Sequence, residues 1–222
     1  MADFPSKRRP RRERTHRPPR PLGRTGLEEL ALAYVARFAT SAGKLEAYLK
    51  RKLRERGWDA GTDSDVGDNG SDDAGMEAVA AIVESFIANK YVDDEGYAHG
   101  RSRSLTARGY GPRRVDASLR EAGIGEELRT AARPDARRQR EAAVDLARKR
   151  GFGPFDRSRG INDRDDDAPI AFEILAQRRA AEEKQLAAML RAGHSFDIAR
   201  AALALRSEAD AQTWIDEAED EE

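Results

Sequence analysis

Three histidines and no cysteine leave this chain few ways to do covalent or metal chemistry. His16 sits in an arginine- and proline-rich stretch, His99 lies four residues after Glu95, and His194 three before Asp197. A structural or catalytic metal needs three or four ligands, and neither pair has a third ligand close in sequence. Without cysteine there is neither a disulfide nor a thiolate metal site. No nucleophile elbow or P-loop occurs, and no Ser/His/Asp set stands out. Gly109-Tyr110-Gly111 lacks the preceding strand and the third glycine of a dinucleotide fingerprint. Asp93-Asp94 reads as a helix cap rather than a metal pair. The histidines are therefore read as structural or solvent-facing, no metal or cofactor is expected, and the chain is read as something other than an enzyme.

What remains is positive charge. Arg101, Arg103 and Arg108 fall on one predicted helix, and Arg113, Arg114 and Arg120 on the next. Lys44, Lys50, Arg51 and Lys52 fall on the corresponding helix of an earlier unit. Such residues can simply form a solvated face. Their recurrence on equivalent helices equally suits contact with phosphates or an acidic partner. The candidate contact residues are Arg101, Arg103, Arg108, Arg113, Arg114, Arg120, Lys44 and Lys52; Arg51 is left aside because the pattern does not fix its face.

The elements that must position these residues are helical throughout. Ala, Leu, Glu and Arg dominate, β-branched residues are sparse, and 36% of the chain is charged against 39% hydrophobic. No apolar run approaches 18 residues, so no transmembrane span is expected, and the N-terminus lacks the apolar region of a secretory signal. A first helix is expected to open at Thr25, capped through Glu28, with Leu27, Leu30, Ala31, Tyr34, Val35 and Phe38 forming one apolar stripe. Ser41-Ala42-Gly43 breaks it, and a second helix runs from about Lys44 to Arg56. A third is expected from about Ala74 to Asn89, with an acidic loop before it. Further helices are read near 93–108, 112–122, 126–132, 136–150, 169–192 and 195–206.

Two repeated features organise this series. Arg108-Gly109-Tyr110-Gly111-Pro112 is echoed by Arg150-Gly151-Phe152-Gly153-Pro154, and Tyr110 and Phe152 are read as packing groups that pin these turns. Gly57, Gly123 and Gly193 each end a helix four residues after Leu53, Leu119 and Met189, at separations of 66 and 70 residues. The fold expected is all-α, with three tandem three-helix repeats forming an elongated, curved body. The repeats are drawn at 25–91, with an acidic loop at 59–73, at 92–135, and at 136–206, with a polar loop at 156–168. No repeat can bury enough core alone, so neighbours must stack. A disordered arm is expected over 1–24, which with residue 25 holds nine Lys/Arg against two acids. A disordered acidic tail is expected over 207–222, where eight acids meet no Lys or Arg.

Tyr91-Val92-Asp93-Asp94-Glu95-Gly96-Tyr97-Ala98, Arg101-Ser102-Arg103, Gly109-Tyr110-Gly111-Pro112-Arg113-Arg114 and Leu119-Arg120-Glu121-Ala122-Gly123-Ile124 together resemble the central repeat of the RecX family. The first repeat is similar in Tyr48-Leu49, Lys52-Leu53 and Arg56-Gly57-Trp58. The last is similar in Gly153-Pro154-Phe155 and Arg191-Ala192-Gly193-His194-Ser195-Phe196. The resemblance covers roughly residues 27–206. The acidic insertion at 59–73, the basic arm and the acidic tail depart from the family pattern.

Composition sets the expectation of a cytoplasmic protein, most simply a monomer, and the resemblance implies a regulator of the RecA recombinase. Such a protein binds the groove of the RecA–single-stranded DNA filament. It limits filament growth, ATP hydrolysis, strand exchange and the co-protease activity that triggers the SOS response. Two other readings stay open on the residues alone: a helical nucleic-acid-binding protein acting without RecA, and a scaffold whose basic faces meet an acidic protein. The acidic segment 207–222 is also placed to fold over the basic faces and compete with DNA.

Overall fold

The computed structural model describes residues 20–59, 68–156 and 172–219. Most of the expected basic arm, His16, the acidic stretch 60–67, the polar loop from 157 onward and residues 220–222 lie outside them.

The chain is all-α, built from tandem three-helix repeats. The first three helices are α1 (Arg24–Val35), α2 (Ala42–Arg56) and α3 (Asp68–Ala88). They close around Leu27, Ala31, Leu45, Leu49, Val79 and Ile82, each at most 1% exposed. Removing one such leucine, isoleucine or valine side chain from water contributes roughly 1.5–3 kcal/mol. The next three are α4 (Asp94–Thr106), α5 (Pro112–Glu121) and α6 (Glu126–Ala131). Their core is smaller and centres on Ala98, Leu105, Val115, Leu119 and Ile124. Then come α7 (Ala136–Arg150), a 3₁₀ turn at Gly153–Phe155, α8 (Phe172–Arg191) and α9 (Phe196–Ala204), joined around Ala143, Met189, Ala199 and Ala202.

The junctions between successive repeats share one geometry. The residue that caps the second helix of one repeat meets the residues that end the second helix of the next. At the first junction Ser41 Oγ donates to the Ala122 carbonyl at 2.6 Å. A Cβ on Gly43 would lie 2.9 Å from both the Ala122 oxygen and the Gly123 Cα. At the second, Gly111 N–H donates to the Ala192 carbonyl at 3.0 Å and Arg113 N–H to that of Gly193 at 3.1 Å. Ala42 N–H, at the first helical position, is satisfied by Asp94 Oδ1 at 2.8 Å. Pro112 holds that position in α5 and has no N–H to satisfy. Gly123 and Gly193, with φ of 76° and 95°, adopt the left-handed turn that ends each helix. At the stop of α2, Leu22 supplies the corresponding contact: its N–H donates to the Gly57 carbonyl at 2.9 Å.

Several expectations are corrected. The α1 N-cap is Gly23, with no side-chain capping bond; Glu28 instead pairs with Arg24 at 3.1 Å. Phe38 is 57% exposed rather than part of the core stripe. Helix α3 begins at Asp68, so part of the acidic loop expected over 59–73 is helical. Acidic residues suit a helix start, where the dipole favours negative charge. Gly75 lets α3 close onto Leu53 and Trp58, its absent Cβ lying 2.9 Å from a Leu53 methyl.

The acidic segment 207–222 is not wholly disordered either: α10 (Glu208–Asp216) packs on α7 and runs into a 3₁₀ turn at Glu217–Glu219. Ala211, Ile215 and Ala218 are buried, a spacing of i, i+4 and i+7 that gives one apolar face. Arg140 of α7 donates to the Trp214 carbonyl at 2.7 Å and stacks over its ring at 5.2 Å. Arg148–Glu208 at 3.0 Å and Arg137–Asp216 at 3.4 Å flank this contact. Terminal repeats need such polar-faced covers.

Two glycines of the chain are expected to respond oppositely to alanine. Gly43→Ala places a methyl against backbone and is expected to lower stability by roughly 1–3 kcal/mol. Gly100 lies inside α4 with nothing within 4 Å of a Cβ, so Gly100→Ala is expected to raise stability by about 0.5–1 kcal/mol. Urea midpoints of the two variants against wild type check the contrast.

Candidate nucleic-acid and partner interface

Helices α4 and α5 carry most of the candidate cations, and their packing separates engaged from open ones. Asp93 caps α4 by accepting from Gly96 N–H at 3.0 Å, and Asp94 and Glu95 occupy its first turn. One face of α4 buries Ala98, Ser102, Leu105 and Thr106, and one face of α5 buries Pro112, Val115 and Leu119. Arg101 bridges the two, its Nε donating to Ser118 Oγ at 2.9 Å. Arg120 pairs with Asp116 at 2.6 Å, and Arg129 shares that carboxylate at 2.8 Å. Arg108 lies over the Tyr110 ring at 5.3 Å.

On α2, Lys44 Nζ donates to Tyr97 Oη of α4 at 2.7 Å, so it ties two repeats together. Lys52 pairs with Glu55 at 2.6 Å, and this hydrogen bond, with the nearby Lys52 and Arg51 charges, holds the Glu55 carboxyl below its ordinary value. Arg103, Arg113 and Arg114 differ from all of these. They are exposed and make no ion pair among the described residues. Their guanidinium groups stay open to a phosphate or carboxylate at no cost in broken pairs.

Arg113 and Arg114 are fixed in place by the second junction. Arg113 donates its own N–H to the Gly193 carbonyl, and a Cβ on Gly193 would lie 2.7 Å from that of Arg114. Beneath them the turn before α5 is clamped from two sides. Gly109, with φ of 90°, sits against Leu146 of α7. Its carbonyl accepts a 3.0 Å hydrogen bond from Nε2 of His194, which is fully buried. That bond requires the proton on Nε2, and Nδ1 has no hydrogen-bond partner. Burial pushes the His194 pKa below its ordinary 6.5, and the bond to the Gly109 carbonyl offsets part of that shift. Among the described residues no cluster of His, Cys, Asp or Glu could hold a metal ion, and no helix is long and apolar enough to cross a membrane.

The comparisons with known proteins agree with this arrangement. The model of the second three-helix domain of RecX matches residues 93–132, the span of α4 to α6. The regulatory protein RecX of Myxococcus xanthus is 30% identical over 193 residues, covering 86% of this chain and 90% of that one. The chain belongs to the RecX family. RecX of a Mycobacterium species (strain JLS) is 32% identical over 136 residues, 60% of this chain and 65% of its own length. Two RecX crystal structures share the fold. The Lactobacillus salivarius protein has a TM-score of 0.54 at 19% identity, over 81% of this chain and 94% of that one. The other has a TM-score of 0.52 at 21% identity, over 79% and 68%.

The residues that carry the RecX resemblance prove to be mostly architectural. Ala98 and Ile124 are core, and Asp93 and Asp94 satisfy backbone N–H groups. Gly109, Gly111, Pro112 and Gly123 build turns and junctions. Tyr97 holds Lys44, and Tyr110 packs against the α4–α6 core. The Tyr91 ring is 58% exposed and lies 5.3 Å from that of Phe86. Reading the sequence missed Ser41 and His194 as junction groups. Each acts across more than 80 residues, and local periodicity carries no signal of that.

Protonating His194 would put a second N–H where no acceptor lies, so the folded state favours the neutral ring. Stability from this group is complete above 6.5 and falls as the pH drops from there through the lower folded pKa. His194→Gln, which keeps a donor toward Gly109, is expected to flatten that fall. Urea midpoints measured on both sides of 6.5 for the two proteins check it.

Proposed function

We propose that this protein binds the RecA–single-stranded DNA filament and limits its growth, ATP hydrolysis, strand exchange and co-protease activity. It acts in the cytoplasm as a monomer and without catalysis of its own. The observation that carries this reading is the likeness to the Myxococcus RecX protein over most of both chains. Three repeats, taken at 25–91, 92–135 and 136–206, would lie along the filament groove. The exposed Arg103, Arg113 and Arg114 would face acidic protein or phosphate there. Arg101, Arg108, Arg120, Lys44 and Lys52 would act beside them, at the expense of the contacts they now make.

RecA ATP hydrolysis on single-stranded DNA, with this protein added well below the RecA concentration, tests the reading. Strong inhibition at that ratio is expected. Absence of inhibition even at equal concentrations and low salt would remove RecA from the account and leave general nucleic-acid binding. Arg113→Glu with Arg114→Glu is expected to raise the concentration needed for inhibition by roughly tenfold or more, with helicity by circular dichroism unchanged because both side chains are exposed.

A further inference from the structure

Helices α1 and α2 build an aromatic stack that the core does not enclose. Tyr34 and Tyr48 stack with ring centres 4.3 Å apart and planes within 12°. Phe38 adds a third ring, 5.4 Å from Tyr34 and tilted by 49°. Arg51 closes the other end, its guanidinium carbon 5.6 Å from the Tyr48 ring centre. The two tyrosines are half-buried, so the stack is held by the fold. Phe38 ends it just beyond α1, 57% exposed. An exposed phenylalanine gains nothing for the core.

The setting of this ring selects its partner. Arg37, next in the chain, is exposed and makes no ion pair among the described residues. The acids on α2 are engaged, Glu46 by Lys50 at 2.6 Å and Glu55 by Lys52 at 2.6 Å and by Arg51 at 3.7 Å, so Arg37 is the open charge. A rigid ring with open positive charge beside it is the combination that holds an unpaired base and its phosphate.

We infer that Phe38, backed by Tyr34 and Tyr48 and flanked by Arg37 and Arg51, is a stacking platform for an unpaired base of single-stranded DNA. The platform lies on the first repeat, apart from the arginines of α4 and α5. It deepens the proposed function, resting on the part of it in which single-stranded DNA is a ligand.

The test compares a fluorescent oligothymidylate with an abasic oligonucleotide of equal length, which keeps the phosphates and lacks the bases. Both are titrated with the full chain at low salt. Wild type is expected to bind oligothymidylate more tightly. Phe38→Ala is expected to weaken that binding by about fivefold or more, to the abasic level, while leaving abasic affinity unchanged. Phe38→Trp should restore the preference, with its fluorescence quenched by oligothymidylate and not by the abasic strand. Equal affinity of wild type for the two strands, or an equal loss on both in Phe38→Ala, would overturn the platform. So would a Phe38→Ala variant that binds both strands normally and loses only its hold on the RecA filament, since the ring would then be a protein contact. A wild type that binds neither strand yet inhibits RecA would overturn the platform and leave the filament reading standing.

Discussion

The structure depends on backbone touching backbone where one repeat meets the next. At Gly43 against Gly123, and Gly111 against Gly193, no Cβ fits. Side-chain interfaces can slide and repack, because several rotamers fill similar volumes. A backbone contact locked by Gly111 N–H on Ala192 and Arg113 N–H on Gly193 has one register. The small core of α4 to α6 is a consequence that can be tolerated, because stability comes as much from neighbours as from within.

That register also sets where charge goes. Arg113 and Arg114 follow Gly111 directly, so the junction that fixes the turn fixes their position. Other cations are spent on the architecture: Lys44 ties α2 to Tyr97, Arg101 ties α4 to α5, and Arg140 anchors α10. Solvent-exposed ion pairs such as Arg120–Asp116 add little to stability. The acidic α10 packs on α7, so its described residues sit on the last repeat.

Much of this was legible in the sequence. The stripes of Leu45, Leu49 and Leu53, and of Val115 and Leu119, are helical periodicity in plain form. The stop glycines at 57, 123 and 193 mark one recurring element. The pairing of the stops at 123 and 193 with Ser41 and Gly111 was not legible, because it joins residues about 80 positions apart and no local pattern encodes it. Composition misled twice in the same way. Asp-rich sequence at the start of α3 and Glu/Asp-rich sequence in α10 read as solvated coil. Gly75 in the first, and Ala211, Ile215 and Ala218 in the second, supply the buried contacts that order them. The candidate arginines were read as one group; only the structure divides those with partners from those without.

The most direct test of the account is a distance measured across the second junction. The chain has no cysteine, so Ser104→Cys on α4 and Arg200→Cys on α9, both exposed, can carry a pair of spin labels without interference. In the otherwise native chain a single narrow distance distribution is expected, and adding Gly111→Ala should broaden or shift it while helicity is kept. A broad distribution in the native chain, or one that Gly111→Ala leaves unaltered, would contradict the claim that glycine contacts fix the repeats in register.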